Sequence, residues 1–398
     1  MMKKEVVDVV IVGGGPSGLR TASLLTQAGL AVLVLEKKTS IGSDVICTGI
    51  VGLETFSRFG LSRDSVLSEM RSVKLVSPFG SVIEYEHPRA FAYIVDRQRF
   101  DSNLAASVSS AGGRVMTGVT AEKVVVGNGR VVIDGIEIEG GRVSFEARMI
   151  VLATGVGFNL HHRLGLGRPA DFLNGAQIET GVDLEKVPRI FFGGQIAPGG
   201  FAWAVPAAGG RIRLGLLAGK NAASHLEDFL AREYPEIMRP EDRSRIKSRP
   251  IVQTVEGPSF SDGVLAVGEA AGQIKTTTGG GISYGLTCAG IAADTVLAAF
   301  EDGVFGADGL SRYETAWKNL LEREISIGYQ ARKLCSRLTD RQIERLFRLA
   351  QTDGILPIIR EKADFDRHSD LLLALFERVS FLRVFRNLAS FVRPGSFS

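Results

Sequence analysis

Along the first part of the chain the spacing of apolar positions changes twice. Val6–Val12 (VVDVVIV) is a short β-branched run ended by glycine, which predicts a buried parallel strand. From Leu19 to Gln27 the apolar residues recur at helical spacing, and AVLVLEKK then predicts a second strand ending at Glu36. Later, MIVLATG (Met149–Gly155) and GVLAVG (Gly263–Gly268) predict two more buried strands. YIVDRQRFDSNLA (Tyr93–Ala105) predicts a strand entering a helix, with Asp96 or Asp101 as its cap. SYGLTCAGIAADTVLAAF predicts a helix after Ile282. Residues 54–95 and 159–257 are β-rich, punctuated by FGG, PGG and AAGG, and VEGPSF leads the chain back. From residue 310 the pattern is helical, with charged faces such as DRQIERLFRLAQ.

Between the first strand and its helix stands Gly13-Gly14-Gly15-Pro16-Ser17-Gly18, a GxGxxG turn, with Glu36 at the end of the next strand. Gly13 permits the tight turn, Gly15 lets a pyrophosphate approach the backbone, and Gly18 lets helix and strand pack closely. The helix N-terminus offers free N–H groups and a positive dipole end to phosphates, and Glu36 is placed to accept the ribose hydroxyls of an adenosine. This order of elements predicts dinucleotide binding. No second fingerprint of this kind occurs in the chain.

Composition narrows the class. With 398 residues, 45% hydrophobic and 23% charged, the chain reads as a globular protein of two or three domains. A net charge of +3 gives no sign of nucleic-acid binding. Three scattered cysteines, Cys47, Cys288 and Cys335, exclude a disulfide framework, a CxxC site and a four-cysteine cluster, and they predict a reducing compartment. Cys288 and Cys335 fall in helical patterns and read as core. No signal peptide and no membrane-spanning helix is expected. The histidines, His87, His161, His162, His225 and His368, have no metal-like or triad-like spacing, and the pair His161-His162 reads as a solvated loop.

The segments around Gly13–Gly18, Thr154-Gly155, Gly268-Glu269 and Gly279-Gly280-Gly281-Ile282 together resemble FAD folds of the glutathione-reductase type. The resemblance implies that Thr154 and Gly155 lie close to FAD, that an acid after Gly268 reaches the ribityl chain, and that the Gly279–Gly281 turn aims a helix at the isoalloxazine. This chain departs from it in carrying Glu269 where the family has aspartate. The implied fold is α/β: a Rossmann-like FAD-binding domain (glutathione-reductase type 2) with an inserted β-rich substrate domain and a C-terminal helical region. Its expected division is 1–53, 96–158 and 258–309 for FAD, 54–95 and 159–257 for substrate, and 310–398 for the helical region.

Within that superfamily the chain resembles geranylgeranyl reductases. The residues that carry this are Arg97 in RxxFDxxL, the Cys47-Thr48-Gly49 loop, the Tyr313–Trp317 segment, and Phe201-Ala-Trp203-Ala-Val205-Pro206 followed after eight residues by Gly215. The family pattern in the last segment is Y-x-W-x-F-P, so Phe201 and Val205 are departures. The resemblance implies Pro16, Ser17, Lys37, Cys47, Thr48, Gly49, Arg97 and Ala121 beside the cofactor, with Cys47 and Gly49 at the reacting end. It also implies Phe201, Trp203, Val205 and Pro206 as the wall of a prenyl slot. Alternation places Phe201, Trp203 and Val205 on one strand face. The implied activity is FAD-dependent reduction of C=C bonds in a prenyl chain, with NAD(P)H or ferredoxin as electron donor. Aromatic hydroxylation, halogenation, electron transfer to quinone and reduction of a quinone's prenyl tail are the rivals. The last stretch, LLLALFERVSFLRVFRNLASFVRPGSFS, is basic and amphipathic and suits an anionic membrane surface, a cap on the substrate tunnel, or core. The expected location is cytoplasmic, with possible peripheral membrane contact.

Overall fold

The computed structural model describes residues 5–181, 186–237, 244–352 and 355–378. A six-stranded sheet lies at its centre, in the order Phe260–Ser261, Val264–Ala266, Met149–Leu152, Val9–Val12, Val32–Glu36 and Arg114–Thr117. All neighbours are parallel except the edge strand Phe260–Ser261. Alternation along these strands feeds two cores. Val9, Ile11, Val34 and Val151 meet the helices Pro16–Gln27, Arg97–Ser110 and Ile282–Asp302 on one face. Val10, Leu33, Ile150 and Leu152 meet a four-stranded sheet on the other, through Val131, Ile133 and Phe145. The apolar run at the N-terminus is two strands rather than one. Asp8 breaks it, its carboxylate accepting from the Ala31 N–H at 2.7 Å. Glu5–Val6 joins the four-stranded sheet instead, beside Arg142–Ala147, and leaves Val6 exposed.

The helix Ile282–Asp302 is long and apolar enough to cross a membrane by length and composition, yet most of its apolar stretch is buried in this fold. Asp96, not Asp101, caps the helix Arg97–Ser110, accepting from the Arg99 N–H at 3.1 Å.

The segments 72–86 and 168–256 build one seven-stranded sheet, ordered Lys247–Glu256, Arg168–Thr180, Arg211–Ala218, Phe201–Ala207, Arg189–Phe191, Ser72–Val76 and Val82–Glu86. Ala202, Ala204, Leu214 and Leu216 point outward to the helix Ala222–Glu233, which the turn-rich pattern of this region does not predict. Trp203, Val205, Leu217 and Leu173 point inward. A three-stranded sheet, Ile50–Gly52, Ala92–Val95 and Val66–Met70, joins the two bodies. Helices Ala307–Cys335, Asp340–Thr352, Ile355–Lys362 and Ser369–Phe376 follow. In the first of these, Tyr313 donates to the Ala266 carbonyl at 2.9 Å and Trp317 to Ser259 Oγ at 2.9 Å, locking the helix to the central sheet. Cys288 is buried as expected, but Cys335 is exposed, because it falls on the last turn of its helix. Most of the basic amphipathic stretch lies outside the described residues.

Candidate functional site

A cleft of about 640 Å³ runs between the C-terminal ends of the central strands and the inner face of the seven-stranded sheet. The glycine turn forms one end. Gly13 sits at φ +116°, and a Cβ there would lie 2.2 Å from the Ala153 carbonyl oxygen. At Gly18 a Cβ would lie 2.1 Å from the Gly13 carbonyl oxygen, so Gly18 packs the turn without lining the cleft. A Cβ on Gly15 would meet nothing within 4 Å. The backbone there faces open cleft, the cradle a pyrophosphate needs, and Pro16 and Ser17 line it beside the start of the helix Pro16–Gln27. The Gly14 N–H donates to Glu36 Oε2 at 2.7 Å and the Lys38 N–H to Oε1 at 2.9 Å. These bonds fix the Glu36 carboxylate and leave it lone pairs for a ribose. Exposed Lys37 and half-buried Ala121 line the same end.

Along the floor come Thr154 and Gly155, with Thr154 Oγ1 donating to the Gly157 carbonyl at 2.6 Å. Glu269 lines the cleft too. Its carboxylate accepts from Arg249 and from the Val252 N–H at 3.2 Å, so an arginine of the seven-stranded sheet balances the charge. Gly268 does not reach the cleft. It sits at φ +74° with its open face against Ser17. At the far end the Gly279-Gly280-Gly281 turn and Ile282 bring the N-terminus of the helix Ile282–Asp302 to the wall. Among the predicted cofactor residues, all but Gly18, Gly49 and Gly268 line this one cleft. A turn that a side chain would block, a fixed acid, a second helix N-terminus and a continuous floor fit FAD.

Cys47 and Thr48 line the cleft, and Arg97 faces them. The Gly49 N–H donates to Cys47 Sγ at 3.4 Å, while Gly49 itself turns away at φ +74°. Arg97 pairs with Asp101 at 3.0 Å, both almost buried. Burial works against the Arg97 charge, but Asp101 and Cys47 outweigh it and hold the guanidinium firmly protonated. Burial likewise pushes the Cys47 thiol up, and Arg97, the Gly49 N–H and Arg213 outweigh that and bring it below its ordinary value.

Of the four predicted wall residues, Trp203 alone lines the cleft. Phe201 meets it at a tilt, ring centroids 6.0 Å apart, and Val205 is fully buried beside it. Pro206 lies at the far end of the strand, opposite Ile212. The expectation that all four form the wall is corrected. Of the residues on this strand's inner face, Trp203 is the one that reaches the cleft.

Several lining residues carry no sequence signal. Lys275 and Asp366 form a nearly buried pair at 2.9 Å. Lys275 also donates to the Phe365 carbonyl at 3.0 Å, and Thr55 Oγ1 donates to Asp366 at 2.7 Å. Burial pushes the Asp366 carboxyl up, but Lys275 and the Thr55 and Ser283 hydroxyls hold it below its ordinary value. The pair fastens residues 365–366 of the C-terminal region over the Gly279–Gly281 end. Replacing Asp366 by alanine leaves an uncompensated buried ammonium, so we expect a loss of about 3 kcal/mol in urea unfolding. A loss of a few tenths would mean that the pair is solvated.

His161 is also a correction. It is 1% exposed, with Nε2 against the Ala270 carbonyl at 3.1 Å, while His162 is exposed. The turn at 162–164 directs one ring inward and one outward, which adjacency in sequence does not reveal. Burial lowers the His161 pKa from 6.5 to about 4. The folded state then binds a proton less readily than the unfolded chain. Its stability contribution is complete above pH 6.5 and is lost as pH falls toward 4, by about 3 kcal/mol in full. Urea midpoints at neutral pH and near pH 4.5 should therefore diverge less in His161→Gln than in the wild type. Equal divergence would remove His161 from the acid response.

Comparison with known proteins agrees with this geometry. The Thi4 family model matches residues 1–150. Digeranylgeranylglycerophospholipid reductase 2 of Methanothermobacter thermautotrophicus is 31% identical over 395 residues, covering 96% of this chain and 99% of that protein. A geranylgeranyl bacteriochlorophyll reductase-like protein of Thermoplasma acidophilum has the same fold, with a TM-score of 0.83 at 23% identity over 98% of this chain and all of that one. The fold is shared more distantly by p-nitrophenol 4-monooxygenase of Pseudomonas putida, with a TM-score of 0.67 at 17% identity over 90% of this chain and 97% of that one. These are FAD-type Rossmann folds. With a curated relative of that identity matched almost end to end, the chain belongs to the digeranylgeranylglycerophospholipid reductase family.

Proposed function

We propose that the protein reduces C=C bonds in the geranylgeranyl chains of a glycerophospholipid, using FAD held in the cleft. The observation that carries this reading is the pairing of two walls. A fixed nucleotide cradle occupies one end, and at the Gly279–Gly281 end the opposing wall is apolar, made by Trp203, Leu217 and Ile251. A prenyl chain has no polar handles, so aromatic and branched side chains are the surface that binds it.

FAD, when bound and reduced, supplies the hydride equivalent for one alkene carbon. The other carbon takes a proton. Cys47 Sγ stands on the cleft wall, and Arg97 with the Gly49 N–H makes its thiol a stronger acid than an ordinary cysteine. It is our candidate for that proton. Trp203 and Leu217 exclude water and hold the chain extended, which matters because an isolated alkene accepts hydride poorly. Each bond reduced consumes two electrons. Because the chain has a single dinucleotide fingerprint, NAD(P)H would dock transiently, or a ferredoxin would deliver the electrons at the surface. We place the protein in the cytoplasm with peripheral membrane contact through its basic C-terminal stretch. Truncation after Arg378 keeps the contacts of the Ser369 N–H with Glu324 and should abolish flotation with anionic liposomes.

The test is anaerobic. Dithionite-reduced protein is mixed with a geranylgeranylated glycerophospholipid, and flavin reoxidation and product mass are followed. Stepwise gains of two hydrogens per double bond are expected. A flavin reoxidised only by oxygen with added aromatics would replace this reading with hydroxylation. Full activity in Cys47→Ser would take Cys47 out of the proton step.

A further inference from the structure

We infer that Arg213 is a positioning residue: it ties the inner face of the seven-stranded sheet to the loop that carries Cys47 and keeps that sulfur against Arg97. One guanidinium joins three separate pieces of chain. Its Nη1 donates to the Thr48 carbonyl at 2.9 Å and to the Val95 carbonyl at 3.1 Å, and its Nε donates to Glu179 Oε2 at 3.0 Å. Thr48 follows Cys47 directly, and Val95 lies two residues before Arg97. The two carbonyls are therefore handles on the backbones that bring sulfur and guanidinium together. The Val95 N–H donates to the Gly49 carbonyl at 2.8 Å and closes the same junction from within.

The chemistry requires arginine. A planar guanidinium, held by Glu179 on one edge, keeps the rest of its donors in a fixed direction, and a lysine ammonium has no such fork. The side chain is only 9% exposed, so these bonds form with little competition from water. Gly49 fits the same picture: a Cβ there would lie 2.3 Å from Arg213 Nη1, so a methyl group would dislodge the tie. Arg213 is also the cross-strand partner of Val205, on the strand that presents Trp203. The substrate wall and the Cys47 loop are thus coupled through one side chain.

The charged and polar groups facing Cys47 are Arg97 from the start of its helix, Arg213 from the sheet, and the Gly49 N–H from its own loop. Asp101 is the counter-charge of Arg97, and Glu179 that of Arg213. Loss of Arg213 removes one cation and the restraint that keeps Arg97 at the sulfur, and both changes raise the thiol pKa.

The proposal rests on Cys47 lying at the reacting end, but its test needs no prenyl substrate, so failure of one reading is distinguishable from failure of the other. FAD-loaded full-length protein carrying Cys335→Ser leaves Cys47 as the one thiol that is not fully buried, since Cys288 is buried. Alkylation of Cys47 by iodoacetamide is followed by mass from about pH 5 to about pH 9. With Arg213→Met the midpoint should move up and the rate at neutral pH fall about three- to tenfold. Arg213→Lys should move it the same way by less. If Arg213→Met does not fold, Glu179→Gln, which frees the guanidinium without removing it, should give a smaller upward shift. An unchanged profile in Arg213→Met, or in Glu179→Gln where the first does not fold, overturns the inference. A wild-type profile in Arg213→Lys also overturns it, because charge alone would then suffice.

Discussion

Gly15→Val is expected to fold with wild-type stability and to purify almost free of flavin. The added carbons enter open cleft, since a Cβ at this position meets no atom within 4 Å, so nothing in the fold is displaced. They occupy the space where a pyrophosphate approaches the helix N-terminus. A loss of about 3 kcal/mol in binding, roughly a hundredfold in Kd, is a conservative expectation. Gly13→Ala makes the opposite case. Its φ of +116° disfavours any side chain, and the new methyl would lie 2.2 Å from the Ala153 carbonyl oxygen, a backbone atom that cannot swing aside. That variant should lose about 3 kcal/mol or more of stability along with its flavin. FAD stoichiometry and urea unfolding measured on both variants separate the two roles. Tight FAD binding by Gly15→Val would show that the cleft at this turn does not hold the cofactor.

Both glycines belong to the part of the site that is legible in the amino-acid sequence. Gly13, Gly15, Glu36, Thr154, Gly155, Glu269 and Gly279–Gly281 can be recognised because each sits at a strand end or turn, where local spacing places it relative to one sheet. What local spacing cannot give is the arrival of residues from elsewhere in the chain. Asp366 meets Thr55 across 311 positions, and Arg213 reaches Thr48 across 165. Arg249 and Glu269 meet because the seven-stranded sheet leans on the turn after Val264–Ala266. None of these pairs has a motif. Strand alternation correctly places Phe201, Trp203 and Val205 on one face, but which of them reaches the cleft is a tertiary property, and Trp203 is the one that does. The same limit accounts for His161, buried by a carbonyl 109 positions away, and for Cys335, which a helical pattern alone cannot place inside or outside.

Gly215 offers the sharpest test of the apolar wall, because it acts on Trp203 without touching the cofactor cradle. The two residues are cross-strand partners, and the indole lies against the glycine. A Cβ at position 215 would stand 2.5 Å from Trp203 Cζ2, 2.6 Å from Cε2 and 2.6 Å from the Ala176 carbonyl oxygen. The carbonyl belongs to the neighbouring strand and cannot yield, so the variant should lose stability as Gly13→Ala does, and the indole must move as well. Trp203 is only 4% exposed, and the buried side that holds it is packed with Val205, Leu173 and Ile94, so its direction of escape is the cleft. Urea unfolding should show the cost of the Ala176 clash, and the folded, FAD-loaded fraction of Gly215→Val should have its prenyl slot blocked, with kcat/KM for the geranylgeranylated lipid falling about a hundredfold or more, equivalent to about 3 kcal/mol of transition-state binding. Trp203→Ala removes the wall instead of displacing it. Its loss should appear first in KM, since a chain held loosely over the cofactor is bound less well before it reacts less well. If Gly215→Val retains both FAD and full activity toward the lipid, Trp203 is packing and the chain lies against another surface.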